Sequence, residues 1–316
     1  MGALGARRYW LIWAAVVPIA IWALVRSFGL EESGRLVPLL AFTPYAAVAA
    51  LLVAGVATAL RNWAAAAVAA LATFCLALAV LPRAIGDGTV DAAGRETLTL
   101  LSANIKRGKA DPTQVVALVE RERPDLLMVQ ELTPGYVGKL DAAGLGRLLS
   151  QRVIAVFPGR RPKMPGLGIY ASRPLRALGP HDNNALGAAL RMPSGRSVRL
   201  VNVHPHTPKP GHIGEWRQSL EALPSAGRGA PWLLVGDFNA TLDQAELRAV
   251  VDRGYRDAGD VAGMGLIPTW PEGETLPPLV TIDHVLADRR LGIVEYSVAQ
   301  QPGSDHRAIG AVLALP

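Results

Sequence analysis

The chain has 316 residues, a formal net charge of +6 and one cysteine, Cys75. A single cysteine excludes an intrachain disulfide, so any domain in the chain must be stable without one. The positive charge suits phosphates, anionic lipid headgroups or nucleic acid, and charge alone does not choose among them.

Residues 1–86 do not have the composition of an ordinary soluble domain. They contain no histidine and no lysine, and Glu31 and Glu32 are their only acidic residues. Three charge-free stretches are each long enough for a helix to cross the hydrocarbon layer of a bilayer. We predict three transmembrane helices at about 9–25, 36–60 and 63–81. The alternative is a set of buried core helices, but these seldom run so long without a polar face.

Three crossings would place the amino terminus and the remainder of the chain on opposite sides of the membrane. The arginines that flank the spans are almost balanced between the two sides, so the positive-inside rule gives only weak direction. Arg7 and Arg8, just ahead of the first span, favour a cytoplasmic amino terminus. We therefore expect the remainder to be extracytoplasmic, and further spans after the first argue against a cleaved signal peptide.

Residues 87–96, rich in Gly, Asp and Ala, are predicted to be a linker, and residues 97–316 are long enough for one large domain. The predicted strands are 97–103, 125–129, 153–157, 168–171, 188–192, 198–203, 232–235, 281–287, 293–298 and 308–313. The predicted helices are 112–121, 213–223 and 243–252. Many strands with few helices indicate an α/β domain of packed sheets with flanking helices, not a simple doubly wound fold.

The sequence Gly236-Asp237-Phe238-Asn239 directly follows the buried strand at 232–235. Side chains two residues apart on a strand point the same way, so Asp237 and Asn239 would face one cleft. A carboxylate there can take a proton from water, and a carboxamide can donate to phosphoryl oxygens as charge develops. Taken alone, the same four residues also fit an Asx-type turn.

Polar residues recur at the other predicted strand ends. Strands end at Asn104, Glu131 and His204, the strand 281–287 is interrupted by Asp283 and His284, and the last strand is preceded by Asp305 and His306. Each one alone fits an ordinary structural role. Together they supply hard oxygen ligands, an amide donor and histidines, which a magnesium-assisted attack of water on phosphorus requires.

These motifs resemble the endonuclease/exonuclease/phosphatase superfamily, which includes DNase I, repair nucleases, inositol-phosphate 5-phosphatases and sphingomyelinases. The matching stretches are Leu101-Ser102-Ala103-Asn104-Ile105, Val129-Gln130-Glu131, Val201-Asn202-Val203-His204, Gly236-Asp237-Phe238-Asn239, Pro268-Thr269-Trp270 with Thr281-Ile282-Asp283-His284, and Ser304-Asp305-His306. The resemblance implies a DNase I-like four-layer α/β sandwich, with two mixed sheets between helices and one site at its end.

The resemblance also implies a metal site. Glu131 would be the main ligand of a Mg²⁺ ion, with Mn²⁺ as an alternative metal, and Asn104 and Asp305 would assist it.

Five further residues take catalytic roles by the same resemblance. Asp237 would orient or deprotonate the attacking water, and Asn239 would stabilise the pentacovalent phosphorane. Asp283 would accept from one nitrogen of His306, which leaves the other nitrogen facing the scissile phosphate. His204 would assist the leaving group.

Two features stay open at this point. His204, His206 and His212 could form a zinc cluster, although the last two lie in a loop interrupted by Pro and Gly, and zinc requires tetrahedral geometry. The basic loop at 158–163 could bind an anionic headgroup or could be ordinary solvated surface.

Three spans joined to this catalytic pattern also resemble the VanJ-type teicoplanin-resistance membrane proteins of actinobacteria, whose catalytic domain is extracytoplasmic. That resemblance implies a lipid-linked phosphate or pyrophosphate, such as undecaprenyl pyrophosphate. We therefore expect a membrane-anchored, magnesium-dependent phosphoesterase, with the bilayer and a phosphorylated substrate as its partners. A membrane-tethered nuclease acting on nucleic acid is the alternative. The intact set from Asn104 to His306 counts against a non-catalytic binding module.

Overall fold

Apolar helices at the amino terminus pack against an α/β domain in the computed structural model. The model describes residues 3–32, 34–156, 166–182, 184–273 and 276–316. The basic loop at 158–163 therefore lies outside the described residues. Residues 3–85 are called the helical unit below. Its helices are α1 (Ala3–Phe28), α2 (Leu36–Leu40), α3 (Thr43–Ala59), α4 (Trp63–Val80) and α5 (Pro82–Ile85).

The three predicted spans are confirmed only in part. Two helical stretches, Tyr9–Phe28 and Trp63–Ile85, are long and apolar enough to cross a membrane. The prediction of one helix over 36–60 is wrong, because this stretch forms α2 and α3 with a turn at Ala41 and Phe42. Pro44 explains the break, since a proline within a continuous helix would clash with the carbonyl of Leu40 and lack its hydrogen bond. The 17 residues of α3 rise about 26 Å at 1.5 Å per residue.

The three long helices pack side by side, with α3 antiparallel to α1 and α4. Small side chains let them approach closely, with Ala50, Ala57, Ala65 and Ala69 buried between them. Trp22 Nε1 donates to Thr43 Oγ1 over 3.1 Å, which places the end of α1 beside the start of α3.

The α/β domain follows a short connection. Its strands are β1 (Thr97–Asn104), β2 (Leu126–Leu132), β3 (Gln151–Ala155), β4 (Gly166–Ala171), β5 (Leu175–Asp182), β6 (Ala185–Arg191), β7 (Ser197–Val203), β8 (Trp232–Asp237), β9 (Tyr255–Asp257), β10 (Asp283–Asp288), β11 (Gly292–Ala299) and β12 (Ala308–Ala314). Its helices are α6 (Pro112–Glu122), α7 (Pro134–Ala142), α8 (Leu145–Leu148), α9 (Ile213–Glu221), α10 (Ala245–Val251) and α11 (Ala258–Val261). No sequence pattern predicted β5, β9, α7, α8 or α11.

Two six-stranded mixed sheets form the centre of this domain, which confirms the predicted α/β class. Their orders are β11-β12-β1-β2-β4-β3 and β5-β6-β7-β8-β10-β9. Leu100, Met128, Leu200 and Val235 belong to the apolar core between the sheets. The outer face of the first sheet is covered by α6, α7 and α8, and that of the second by α9 and α10.

Each sheet contains one parallel pair of strands near its middle, β1 with β2 and β7 with β8. A buried polar contact joins the two pairs, since Gln130 Nε2 donates to Asn202 Oδ1 over 2.7 Å. Asn202 in turn donates to the carbonyl oxygens of Val129 and Gly168, both over 2.9 Å. The carboxyl ends of the four parallel strands are therefore held at one end of the sandwich, where the polar residues of the motifs lie.

The connection predicted at 87–96 lies against the α/β domain. Val90 N donates to Ile293 O over 2.8 Å, and Arg95 Nε donates to Leu315 O over 3.0 Å. These contacts fix the path of the chain between the helical unit and β1.

Candidate active site

Asp237 is the central side chain of the site. It ends β8, lies opposite Asp283 in the antiparallel pair of β8 with β10, and is 2% exposed. Asn104 Nδ2 donates to its Oδ2 over 3.0 Å, and the backbone N of Asn239 donates to its Oδ1 over 2.8 Å. Each carboxylate oxygen therefore has a fixed direction, which is what a group that must accept a proton from one position requires.

His306 lies between two carboxylates. Its Nδ1 is 3.0 Å from Oδ2 of Asp283, and its Nε2 is 3.6 Å from Oδ2 of Asp237. The backbone N atoms of Ile282 and Asp283 donate to Thr269 Oγ1, which is fully buried and holds this end of β10 in place. The arrangement matches the predicted contact between Asp283 and His306.

The charge of His306 follows from its neighbours. Burial by itself lowers the pKa of this imidazole, but the carboxylates of Asp283 and Asp237 outweigh burial and raise the pKa to about 10. Burial also raises the pKa of Asp283, and the adjacent imidazole opposes that rise. The two carboxylates therefore favour the protonated, cationic form of His306.

His204 is a second histidine next to Asp237, and it also faces Glu131. His204 Nε2 is 3.6 Å from Oε1 of Glu131 and 3.6 Å from Oδ2 of Asp237. Glu131 has a φ of 58° in a register shift between Val129 and Leu132, where β2 pairs with β4. A bulge of this kind redirects a side chain, and left-handed backbone at a non-glycine residue is typical of functional sites.

Asp305 and Glu131 are the more open carboxylates. Their side chains are 31% and 20% exposed. Lys106 Nζ is 3.5 Å from Asp305, while Arg107 Nε and His204 Nε2 are 3.8 Å and 3.6 Å from Glu131. Hard oxygen atoms with such distant partners can take a hydrated divalent cation. A second carboxylate and histidine group, Asp237 with Asp283 and His306, is buried and has ligand atoms within 4.8 Å of one another.

A cavity of about 520 Å³ lies over these side chains. Six of the eight predicted site residues line it: Glu131, His204, Asp237, Asn239, Asp305 and His306. Asn104 and Asp283 are fully buried behind Asp237 and His306. The side-chain oxygen of Asn104 accepts from Lys106 N over 3.0 Å, and Asn239 Nδ2 donates to Pro205 O over 3.0 Å.

His284 takes no part in this cavity. Its Nδ1 is 2.8 Å from Oδ2 of Asp257, and its Nε2 is 2.9 Å from the carbonyl oxygen of Ala240. Adjacent residues on a strand point to opposite faces, which explains why Asp283 and His284 have different partners.

The zinc interpretation of the histidines is wrong for the described part of the chain. His206 and His212 both face Glu215, at 3.8 Å and 2.9 Å, while His204 faces Glu131 and Asp237. The three histidines do not converge on one point. Among the described residues, the one group of three His, Cys, Asp or Glu close enough to share a metal ion is Asp237 with Asp283 and His306.

Several cavity residues were missed from the sequence. Pro38, Ala41 and Phe42 come from the helical unit, and Arg107, Lys209 and Trp270 come from loops of the α/β domain. Arg107 and Trp270 follow or end a matched motif, which was a usable signal. Pro38, Ala41 and Phe42 lie in a uniformly apolar stretch, in which only the prolines indicated a turn.

Gly236→Ala is expected to lower the free energy of unfolding by more than about 1 kcal/mol. Gly236 has a φ of 144°, and a Cβ there would lie 2.2 Å from Val203 O, against the neighbouring strand. The measurement is thermal or denaturant unfolding. Gly138→Ala is the matched control, because Gly138 is exposed in α7 with open space around it, so alanine should stabilise that helix. Equal stability of the two variants would contradict the assignment of strain to Gly236.

The comparisons with known proteins agree with this geometry. Residues 101–306 match the model of the endonuclease/exonuclease/phosphatase family. The chain belongs to this family. No protein of curated function matches the chain.

Solved structures show the same fold. An endonuclease/exonuclease/phosphatase from Beutenbergia cavernae DSM 12333 is 18% identical, with a TM-score of 0.53 over 70% of this chain and 72% of that chain. TDP2 of D. rerio with a single-strand DNA product is 18% identical, with a TM-score of 0.55 over 69% of this chain and 99% of that chain. A functionally unknown conserved protein from Enterococcus faecalis V583 is 17% identical, with a TM-score of 0.53 over 69% of this chain and 100% of that chain. The DNase I-like α/β fold of this family is thereby confirmed.

Proposed function

We propose that the protein is a membrane-anchored, magnesium-dependent phosphoesterase. It hydrolyses a phosphate or pyrophosphate ester of a lipid-linked cell-envelope substrate outside the cytoplasmic membrane. The observation that carries the proposal is that both long apolar helices end at Asp243, whose neighbour Gln244 lines the catalytic cavity. Arg26 near the end of α1 and Arg83 after α4 both bind the carboxylate of Asp243, which follows the Asp237–Asn239 motif closely in the chain.

The exposure of the helical unit supports a place in the bilayer. Only 22% of the first candidate span and 33% of the second are buried, whereas a soluble core helix would be mostly buried. Trp10 and Trp63 are both exposed at one end of the bundle, as interfacial aromatic residues are.

The two arginines also fix the direction of the helices. Because Arg26 and Arg83 reach the same carboxylate, α1 and α4 run parallel, and α3 must return between them. If α1 and α4 cross, α3 therefore crosses too, and a short span is accommodated by local thinning of the bilayer at modest cost. On this basis we propose three crossings, with the amino terminus on the opposite side of the membrane from the α/β domain.

The chemistry follows from the site residues. Asp237 takes a proton from the attacking water. The water oxygen bonds to phosphorus as the bond between phosphorus and the leaving oxygen breaks. The His306 cation, oriented by Asp283, stabilises the negative charge that develops on the phosphoryl oxygens. His204 would protonate the leaving oxygen. An amide has two N–H donors, so Asn239 keeps one for the phosphoryl group while the other holds Pro205 O.

Glu131 and Asp305 would hold the metal, with a lone pair of the Asn104 amide oxygen as a further donor. We prefer them to the buried group around His306, because the hydrogen bond from His306 to Asp283 already uses that group. A bound Mg²⁺ would polarise and neutralise the phosphoryl oxygens.

The alternative is a membrane-tethered nuclease. Arg107 and Lys209 at the cavity are the observation that favours it, and the D. rerio TDP2 neighbour is described with a DNA product. A nuclease makes contacts along a nucleic-acid backbone, so its binding weakens steeply as salt rises. A role in glycopeptide resistance, like that of VanJ-type proteins, is part of the proposal that the substrate is lipid-linked.

The test is a substrate panel with the detergent-solubilised full chain. Undecaprenyl pyrophosphate, sphingomyelin and DNA are each incubated with Mg²⁺ or with EDTA, and the products are quantified. We expect phosphate release from undecaprenyl pyrophosphate that EDTA abolishes. Product formation that EDTA does not reduce, or salt-sensitive cleavage of DNA alone, would overturn the proposal.

Glu131→Gln is expected to lower kcat/KM about 10–100-fold at fixed Mg²⁺, because it removes an anionic metal donor. The measurement is a Mg²⁺ titration of phosphate release, in which the variant should need more metal. Glu120→Gln, at an exposed position of α6, is the control and should titrate like the parent. Identical Mg²⁺ titrations for Glu131→Gln and the parent would exclude Glu131 as a ligand.

A further inference from the structure

The helical unit forms part of the catalytic cavity. Pro38, Ala41 and Phe42 line it together with Asp237 and His306. These three residues lie outside the part of the chain that matches the family model, which begins at residue 101. We propose that residues 36–42, called the wall segment here, determine specificity by binding the part of the lipid chain nearest the phosphate. This inference rests on the proposed function and extends it to tail recognition.

The wall segment is held firmly against the α/β domain. Val37 is fully buried in the same apolar cluster as Ile213 and Trp216, beneath α9. Gln244 Nε2 donates to Val37 O over 3.0 Å, and Gln244 itself lines the cavity. The backbone of the segment is therefore positioned by the catalytic domain, as a fixed wall must be.

The residues just before the wall segment are anchored as well. The N–H of Ala245 at the start of α10 donates to Oε1 of Glu31 over 2.6 Å, and Arg217 Nη2 donates to Glu31 O over 2.7 Å. On the far side, Tyr45 OH donates to Leu279 O over 2.9 Å, next to the cavity residue Val280. Contacts on both sides hold the start of α3 at the edge of the cavity.

The exposed surface is apolar from the bundle to the cavity. Leu39 and Phe42 of the wall segment are 47% and 37% exposed, and Val48 of α3 is also exposed. Trp270, 36% exposed, lines the cavity as well. The cavity therefore has an apolar side continuous with the helices and a floor that carries Glu131, Asp305 and His306.

One class of ligand combines an anionic group with an apolar chain and therefore fits both the floor and the apolar side of this cavity. A phosphate or pyrophosphate at the end of a long apolar chain would place its anionic group on the floor and its first carbons along Phe42 and Pro38. The wall segment itself carries no charged side chain, so it offers nothing to the phosphates of a nucleic-acid backbone. Entry from the side of the bundle would let the chain stay in the bilayer while the headgroup reacts.

The test compares two substrates with the same reacting group and different tails. A long-chain polyprenyl pyrophosphate and methyl pyrophosphate, which has a single carbon and therefore no chain to lie along Phe42, are hydrolysed by the solubilised full chain, its Phe42→Ala variant and its Phe42→Leu variant. We expect Phe42→Ala to lower kcat/KM for the long-chain substrate about tenfold, mainly through KM, and to leave the short substrate unchanged. Phe42→Leu should restore most of the loss, because it keeps an apolar surface.

Phe28→Ala is the matched control, since Phe28 is an exposed phenylalanine at the end of α1 that does not line the cavity. It should change neither substrate. Equal effects of Phe42→Ala on both substrates, or no effect on either, would overturn tail recognition by the wall segment. If the parent hydrolyses neither pyrophosphate, the proposed function itself fails, and the two failures are thereby distinguished.

Discussion

Asp237→Asn is expected to lower kcat about 10²–10⁴-fold. The carboxamide is nearly the same size but cannot take a proton from water, and it removes one of the two carboxylates beside His306. The direction of the side chain should survive, since an amide oxygen can still accept from Asn104 Nδ2 or Asn239 N. The measurement is the initial rate of phosphate release at saturating substrate.

Asp257→Asn provides the matched control for this prediction. Asp257 also contacts a buried histidine, His284, over 2.8 Å, but neither of these residues lines the catalytic cavity. We expect a lower melting temperature and a kcat close to that of the parent. If both variants lost activity to the same extent, the effect of Asp237→Asn would be structural and the assigned role of Asp237 would be wrong.

Asp243→Ala is expected to destabilise the contact between the helical unit and the α/β domain by about 3–5 kcal/mol. Asp243 is 1% exposed, and its carboxylate accepts hydrogen bonds from Arg26 and from Arg83, which are 9% and 5% exposed. Removal of the carboxylate leaves two buried guanidinium groups without their counter-ion. Thermal unfolding of the solubilised chain, with limited proteolysis at residues 87–96, measures the loss.

Asp252→Ala, at the exposed end of α10, should unfold like the parent. Replacement of the whole cluster, as Arg26→Met, Arg83→Met and Asp243→Leu together, should recover much of the stability, because the two guanidinium groups and the carboxylate that balances them are then removed together. An unchanged melting temperature for Asp243→Ala would mean that this cluster does not hold the two parts together.

Much of the fold could be predicted because buried strands of this domain are short apolar runs that end in polar residues. The runs before Asn104, Glu131 and Asp237 were recognised in this way, and the structure has β1, β2 and β8 there. β5 was missed because its sequence contains Gly179 and Pro180, which argue against a strand. An edge strand with register shifts tolerates both residues, and β5 is such a strand.

The wall segment illustrates a different limit. Val37 is buried by Ile213 and Trp216, which are far away in the sequence. An apolar residue that faces lipid and one that faces a protein core have the same character in a sequence, so composition predicted one uniform span. Only the docking of α2 onto the α/β domain makes Pro38, Ala41 and Phe42 part of the catalytic cavity.

The sequence by itself determined which chemical groups the protein has, and that most of them stand at the ends of strands. Only the tertiary structure decided which histidine belongs with which carboxylate, since His306 contacts Asp283 while His284 contacts Asp257. The physical reason is the pleat of β10, which sends the adjacent side chains of Asp283 and His284 to opposite faces. The side chains that contact them on those faces, His306 and Asp257, come from other parts of the chain.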